Sequence, residues 1–195
     1  LEEVGYEVVS DSVFSKISDT CTPQGVLCVL KQFHYNIEEM LRDKAPLFLL
    51  LENIQDPGNL GTMLRTGEGA GVSGIIMSRD TVDLYNPKVI RSTMGSIYRV
   101  PFYYADDFAA AVHQVQRAGV SVYAAHLRGK NSYACQDYTK GTAFLIGNEG
   151  NGLREETAEL ADCYIRIPME GKVESLNAAV ASSILMYEAH RQRAI

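Results

Sequence analysis

The chain has no tryptophan, only four cysteines in 195 residues, and less positive than negative charge, with 18 Lys and Arg against 24 Asp and Glu. Cys21, Cys28, Cys135 and Cys163 form no CxxC pair. They are too sparse for a disulfide scaffold or a zinc clip, which points to a reducing, cytoplasmic setting. No apolar run approaches the roughly 20 residues that a membrane helix needs; the longest, Leu47–Leu51, stops at Glu52, so the chain reads as soluble. A net charge of −6 is the reverse of the basic footprint of a free-standing nucleic-acid binder. The opening residues, LEEVGYEVVS, have neither the basic region nor the apolar stretch of a signal peptide. With Leu at position 1, a truncated or processed chain is expected. No Walker-type Gly-Lys-Ser/Thr sequence occurs, and His34, His113, His126 and His190 show no metal-ligand spacing.

What is present is a globular balance of apolar and charged residues, enough for one domain and a fragment of another. Residues 1–30 form a small end-piece. Val13 and Phe14 are followed by the turn signal Thr22-Pro23-Gln24 and an apolar strand predicted over 25–30. Residues 31–45 are polar and mixed in charge, with Ile37, Met40 and Leu41 at helical spacing, and read as a linker carrying a short helix. From Pro46 onward buried strands alternate with helices. Strands are predicted at 47–51, 74–77, 97–102, 120–125, 143–146 and 164–167, and helices at 59–70, 87–93, 106–118, 154–160 and 176–191. This order specifies an α/β domain over 46–195, with a mostly parallel sheet and helices on both faces.

In such sheets ligands bind beyond the carboxyl ends of the strands. A literal GxGxxG at Gly69, Gly71 and Gly74 is misplaced for a dinucleotide, because it closes a helix and leads into a strand instead of the reverse. Three other polar, glycine-containing segments follow predicted strands: ENIQDPGN at 52–59, GNEGNG at 147–152 and PMEGKVESLN at 168–177. Asp-Pro-Gly or Asn-Gly alone is ordinary turn chemistry. Three such segments at the same end of one sheet mark a site.

These segments resemble the three motifs of the SpoU (TrmH) branch of the SPOUT superfamily, RNA ribose 2'-O-methyltransferases. Motif one is NIQDPGNLGTMLRTGEGAG, motif two FLIGNEGNGL and motif three IPMEGKVESLNAAVASSILMYEA, so the resemblance spans residues 46–195. VFSKISDTCTPQGVLCVL resembles the end of the ribosomal-protein-like, RNA-substrate-binding domain that precedes the catalytic domain in many members. Near-absence of that domain would account for the acidic balance, since phosphate affinity depends on such basic contacts.

The resemblance implies a C-terminal trefoil knot with S-adenosylmethionine bent against it, and a homodimer with its sites near the subunit interface. It also implies methylation of RNA, ribosomal more than transfer RNA because of the leading remnant, with no metal. Arg65 matches the catalytic arginine, read here as binding the adjacent phosphate and stabilising the alkoxide, since a guanidinium stays protonated; some family mechanisms make it the base. Asn59, six residues earlier, lies about 120° from it around the helix, so the two can flank one pocket. Glu149 is the acidic residue of motif two, orienting Asn59, Arg65 or substrate. Ser175, a good N-cap, and Asn177 complete the catalytic set. Gly147, Ile167 and Leu176, with His126 and Leu127 beside them, are implied to hold the cofactor. Arg91 and Lys88 are implied to hold RNA phosphate, within a basic interval that includes Arg79 and Arg99. Two other readings stand beside this one: a non-catalytic RNA-binding or ribosome-assembly module of the same fold, and a dinucleotide-dependent oxidoreductase, which the misplaced glycines disfavour.

Overall fold

The computed structural model describes residues 5–173 and 175–194; the first four residues of the end-piece and Glu174 of the third segment lie outside the described residues. Seven strands form one fully parallel sheet: β1 (Leu47–Leu51), β2 (Gly74–Ser78), β3 (Phe102–Ala105), β4 (Ser121–Ala125), β5 (Asn131–Ser132), β6 (Thr142–Ile146) and β7 (Cys163–Arg166), in the order β3-β2-β1-β6-β4-β7-β5. The central strands β1, β2 and β6 are buried along their whole length, which is why they read as unbroken apolar runs and not as alternating ones. On one face, Phe48, Leu50, Ile76, Val122 and Leu145 pack with α2 (Ile37–Met40) and α5 (Phe108–Arg117). Leu49, Ile75 and Phe144 alternate to the other face. There α7 (Ala178–Arg193) lies on β1 and β6, and α3 (Pro57–Ala70) packs on α7.

The ends of α3 are written in its sequence. Asp56 accepts the Asn59 N–H as N-cap, Pro57 occupies the first turn, and Gly71 at φ +78° closes the helix in the left-handed conformation. The Gly69/Gly71/Gly74 sequence is therefore a helix stop feeding β2, as its position indicated. From β1 the chain runs outward to β2 and β3, then crosses to build the other half of the sheet. β1 and β6 are neighbours at the point where the direction of winding reverses, so the loops at their carboxyl ends meet.

The far half carries an unusual crossing. Ala125 at the end of β4 and Asn131 at the start of β5 pair with the same residue, Ile165, from opposite sides of β7. The connection 126–130 therefore passes across the end of β7. It does so closely: a Cβ on Gly129 would lie 2.8 Å from the carbonyl carbon of Ile165.

Several sequence expectations are corrected. The stretch read as a strand at 97–102 holds a 3-10 turn, Ser96–Tyr98, and β3 begins only at Phe102. Ile97 and Val100 are buried at helical, not strand, spacing, and Gly95 turns left-handed before them. Residues 25–30 form no strand and expose Val26, Val29 and Leu30; Val13 and Phe14 lie in a helix, α1 (Asp11–Ile17). The chain divides into units Leu1–Phe33 and His34–Ile195. Ile37 and Met40, read as linker, are buried in the sheet's core. The remaining helices are α4 (Pro87–Thr93), as expected, and α6 (Glu155–Ala158), shorter than expected. Among the described residues no helix is long and apolar enough to cross a membrane.

Candidate active site

Glu149 is the hub. It sits in the hairpin that follows β6, closed by mutual hydrogen bonds between Asn148 and Gly152. Its carboxylate reaches across to the β1 loop, where one oxygen accepts the Asp56 N–H at 3.0 Å and the Asn59 amide N–H at 3.0 Å, and the other accepts the Gln55 N–H at 3.1 Å. Partial burial pushes this carboxyl's pKa upward, but the donors from Asn59, Asp56 and Gln55 outweigh it and hold the group below its ordinary 4.5. Glu149 is thus an anion with both oxygens engaged. Asn148 adds a second tie between the loops, donating from its amide to the Asn53 carbonyl at 2.8 Å.

The chain of amides continues to the last helix. Asn177 donates to the Asn59 side-chain oxygen at 3.0 Å, while its own oxygen accepts the Ala179 and Val180 N–H groups as the N-cap of α7. Every orientation in the series is therefore fixed: α7 amides to Asn177, Asn177 to Asn59, Asn59 to Glu149. Asn177, not Ser175, caps this helix, which begins at Ala178 and not 176. Ser175 instead lines the open pocket formed by Gln55, Asn59, Glu149 and Asn177.

A second cleft, of about 240 Å³, adjoins this pocket and shares Asn148, Glu149, Ser175 and Leu176 with it. All five residues expected to hold the cofactor line it: His126 and Leu127 from the crossing loop, Gly147 from the end of β6, Ile167 after β7, and Leu176. Gly147 is required by close approach, because a Cβ there would lie 2.2 Å from the Leu153 nitrogen, inside the folded-back hairpin. The His126 ring stacks obliquely on Tyr164 at 5.1 Å, and its Nδ1 accepts the Arg128 N–H at 3.1 Å. Burial first, then the neighbouring Arg128 charge, lowers its pKa below 6.5, against a smaller opposing pull from Glu155.

Arg65 is not brought into this assembly. It is exposed on α3 and lines neither part of the cleft, although Asn59 on the same helix does. Lys88 and Arg91 are exposed on α4. Arg79 and Arg99, the rest of the basic interval, are engaged with Asp106 and Glu68 respectively. Sequence reasoning assigned no part to Gln55 and Asn148, whose contacts lie in the motif segments but whose residue types are ordinary in turns.

Apart from His126 and Leu127 of the crossing loop, the expected site residues that converge here come from the three motifs singled out in the sequence. The model of the SpoU rRNA methylase family matches residues 46–187. The 23S rRNA (guanosine(2553)-2'-O)-methyltransferase RlmP of Bacillus subtilis (strain 168) is 35% identical over 180 residues, covering 92% of this chain and 70% of its own length. An AdoMet-bound rRNA methyltransferase from Sinorhizobium meliloti superposes with a TM-score of 0.85 at 36% identity, covering 93% of this chain and 70% of that one. The SpoU methyltransferase AviRb from Streptomyces viridochromogenes, in complex with AdoMet, gives 0.76 at 31% identity, with coverage of 82% and 62%. The chain thus spans about two thirds of the length of these relatives. It belongs to the SpoU rRNA methylase family of S-adenosylmethionine-dependent RNA methyltransferases.

Proposed function

We propose that this chain methylates a ribose 2'-hydroxyl of ribosomal RNA, acting as a cytoplasmic homodimer. The observation that carries the reading is the oriented series Asn177–Asn59–Glu149, which lines the open pocket and reaches the adjoining cleft at Glu149. One pocket suits the cofactor: it is a mostly apolar cleft rimmed by backbone, with a glycine where a side chain would close it. Gly147, Ile167 and Leu176, flanked by His126 and Leu127, would hold the adenosine and methionine parts. S-adenosylmethionine, when bound, supplies an electrophilic methyl group.

The chain's own residues deal with the acceptor. A ribose hydroxyl is a poor nucleophile at neutral pH, so negative charge developing on its oxygen needs donors already in place. Asn59 and Asn177 each keep a second amide N–H beyond the one used in the series, and these face the acceptor oxygen or its phosphate. Glu149 fixes Asn59 and, with both oxygens occupied, is not the proton acceptor; the hydroxyl proton leaves to solvent at the open pocket as the new C–O bond forms and S-adenosylhomocysteine departs. Arg65 binds the adjacent phosphate and stabilises the alkoxide. Its exposed place on α3 leaves it open to bound RNA and to a second copy of the chain, which in this reading complete the site. Ser175 adds a hydroxyl at the open pocket, and Lys88 and Arg91 hold phosphate along α4.

Support for the homodimer comes from Val180 and Tyr187, seven residues apart on α7 and 48% and 50% exposed, on the helix that Asn177 opens. The crossing of 126–130 over β7 supports a trefoil knot in this region. The cytoplasmic setting rests on unpaired cysteines, and the ribosomal substrate on relatives bearing that name and on the ribosomal-protein-like character of residues 1–30.

The test is calorimetric binding of S-adenosylmethionine and S-adenosylhomocysteine with NAD as control, followed by methyl transfer to unmodified, transcribed bacterial 23S rRNA and mapping of ribose methylation. Binding of the first two with a single mapped site supports the proposal. Cofactor binding with no transfer to any ribosomal or transfer RNA refutes catalysis, and binding of NAD alone refutes the cofactor.

A further inference from the structure

Behind the site, and lining neither pocket, is a buried carboxylate that the chemistry above does not use. Glu52 directly follows β1 and is 1% exposed. One of its oxygens accepts the Arg154 N–H at 2.8 Å, and the other accepts the Thr157 hydroxyl at 2.5 Å, with the Arg154 guanidinium 3.5 Å away. Arg154 extends its other terminal nitrogen to Asp80, in the loop after β2. Asp80 in turn accepts the Ser78 hydroxyl at 2.5 Å, and Ser78 accepts the Asn53 N–H at 2.8 Å. Gln55 closes the circuit, its amide donating to the Asp80 carbonyl at 2.5 Å and to Asn53 at 2.6 Å. Three strand-end loops are thereby tied together, and two of them, carrying Gln55 and Glu149, are the ones that must meet.

We propose that Glu52, Arg154 and Asp80 are positioning residues that seat Glu149 against the Gln55 and Asp56 amides. The inference deepens the proposed function and rests on its assignment of Glu149 to the site. The geometry gives the reason. The hairpin that carries Glu149 leaves the sheet at Gly147 and returns at Arg154. Gly147 is fixed by β6, so the return point is the free end, and Glu52 holds it by both backbone and side chain of Arg154. A buried carboxylate without its partners is strongly unfavourable, so Glu52 enforces this return. Arg154 is suited to the task because its planar fork addresses two carboxylates from different loops, which the point charge of a lysine does not reproduce.

The experiment reads the hook directly. The Gln55 and Asp56 backbone N–H groups donate to Glu149, so their hydrogen exchange reports whether Glu149 is seated. Exchange is measured in the full chain for wild type, Glu52→Gln, Arg154→Ala, Arg154→Lys and Asp80→Asn, with Glu149→Gln defining the unhooked rate. In Glu52→Gln and Arg154→Ala these two amides should exchange at least about tenfold faster, approaching the Glu149→Gln rate, while Leu49 and Leu145 in the sheet keep wild-type protection. Arg154→Lys should lie between wild type and Arg154→Ala. S-adenosylhomocysteine, whose cleft includes this hairpin, should bind about fivefold more weakly to Glu52→Gln. Unchanged exchange at Gln55 and Asp56 overturns the proposal. So does equal acceleration at Leu49 and Leu145, which would make the network a general stabiliser; Asp80→Asn, at the exposed end, guards against a Glu52 variant that fails to fold. The exchange readout requires neither cofactor nor RNA. An inactive wild type would therefore count against the proposed function and leave the seating of Glu149 decided on its own.

Discussion

A glutamate that receives three N–H donors behaves differently from one awaiting a proton. In Glu149 the donors stabilise the charged form, so a glutamine in its place would turn an N–H₂ group either toward the Gln55 N–H or toward the Asp56 N–H and Asn59, and at least one of those contacts must break. Glu149→Gln should lower methyl transfer by about 10²-fold, on the scale of losing a fixed polar group at a reacting oxygen, while leaving the thermal midpoint within a few degrees. Single-turnover kinetics beside a melting curve check this. The sign of its pH dependence follows from the lowered pKa. The contribution of the seated carboxylate is complete above its ordinary 4.5 and is lost as pH falls through the lower folded value. His126 gives a second window at higher pH. Its folded pKa lies below 6.5, so the neutral ring is the form the cleft accommodates, with Nδ1 accepting the Arg128 N–H. S-adenosylhomocysteine affinity should fall as pH drops below 6.5 in wild type, and a His126→Gln variant should flatten that slope in titration calorimetry.

Helices and strands were legible where local chemistry decided them. Asp56 and Pro57 announced α3, and the apolar block Leu47–Leu51 announced a strand buried on both sides. Where a partner decides, the sequence was mute. β5 is two polar residues made a strand by lying beside β7, and residues 25–30, apolar enough for a strand, pair with no strand among the described residues. The same divide runs through the site. The motif segments located the cleft, whereas the Glu52–Arg154 and Arg154–Asp80 ties join residues 102 and 74 positions apart. The only cue to them was a charge placed directly after five buried apolar residues. Helix packing adds a sharp test. Gly61 of α3 faces α4, and a Cβ there would lie 1.7 Å from the Ser92 hydroxyl and 2.9 Å from the Val89 carbonyl oxygen. The hydroxyl can rotate away, but the backbone oxygen cannot. Gly61→Ala should therefore cost about 1–3 kcal/mol through forced separation of α3 and α4. Gly74→Ala meets chiefly the flexible end of Met40 and should cost under about 1 kcal/mol. Urea unfolding of the two variants distinguishes them.

At the scale of the whole molecule, α7 connects fold and site. Its C-terminal end is locked by Arg193, which donates to the carbonyls of Ala45, Pro46, Tyr138 and Lys140 at the entrances of β1 and β6. Its N-terminal end is Asn177, within the amide series. Between them the helix offers solvent Val180 and Tyr187, on a surface that proximity to Asn177 makes part of the site's surroundings. If a second copy covers that face, Arg65, exposed on the neighbouring α3, gains the enclosure that a single chain does not give it. A Val180→Glu/Tyr187→Glu variant should then sediment at half the wild-type mass, since like charges placed opposite one another across a two-fold interface repel. The cleft lined by Gly147, Ile167 and Leu176 belongs to one chain, so S-adenosylhomocysteine should still bind the separated chains within about threefold of wild type. Methyl transfer, which needs Arg65 in place, should fall by at least about 10²-fold. Sedimentation equilibrium and calorimetry on the same sample decide the matter. A wild type that is already monomeric and active, or a monomeric variant that keeps full transfer, would show that each chain completes its own site and that Arg65 reaches the RNA unaided.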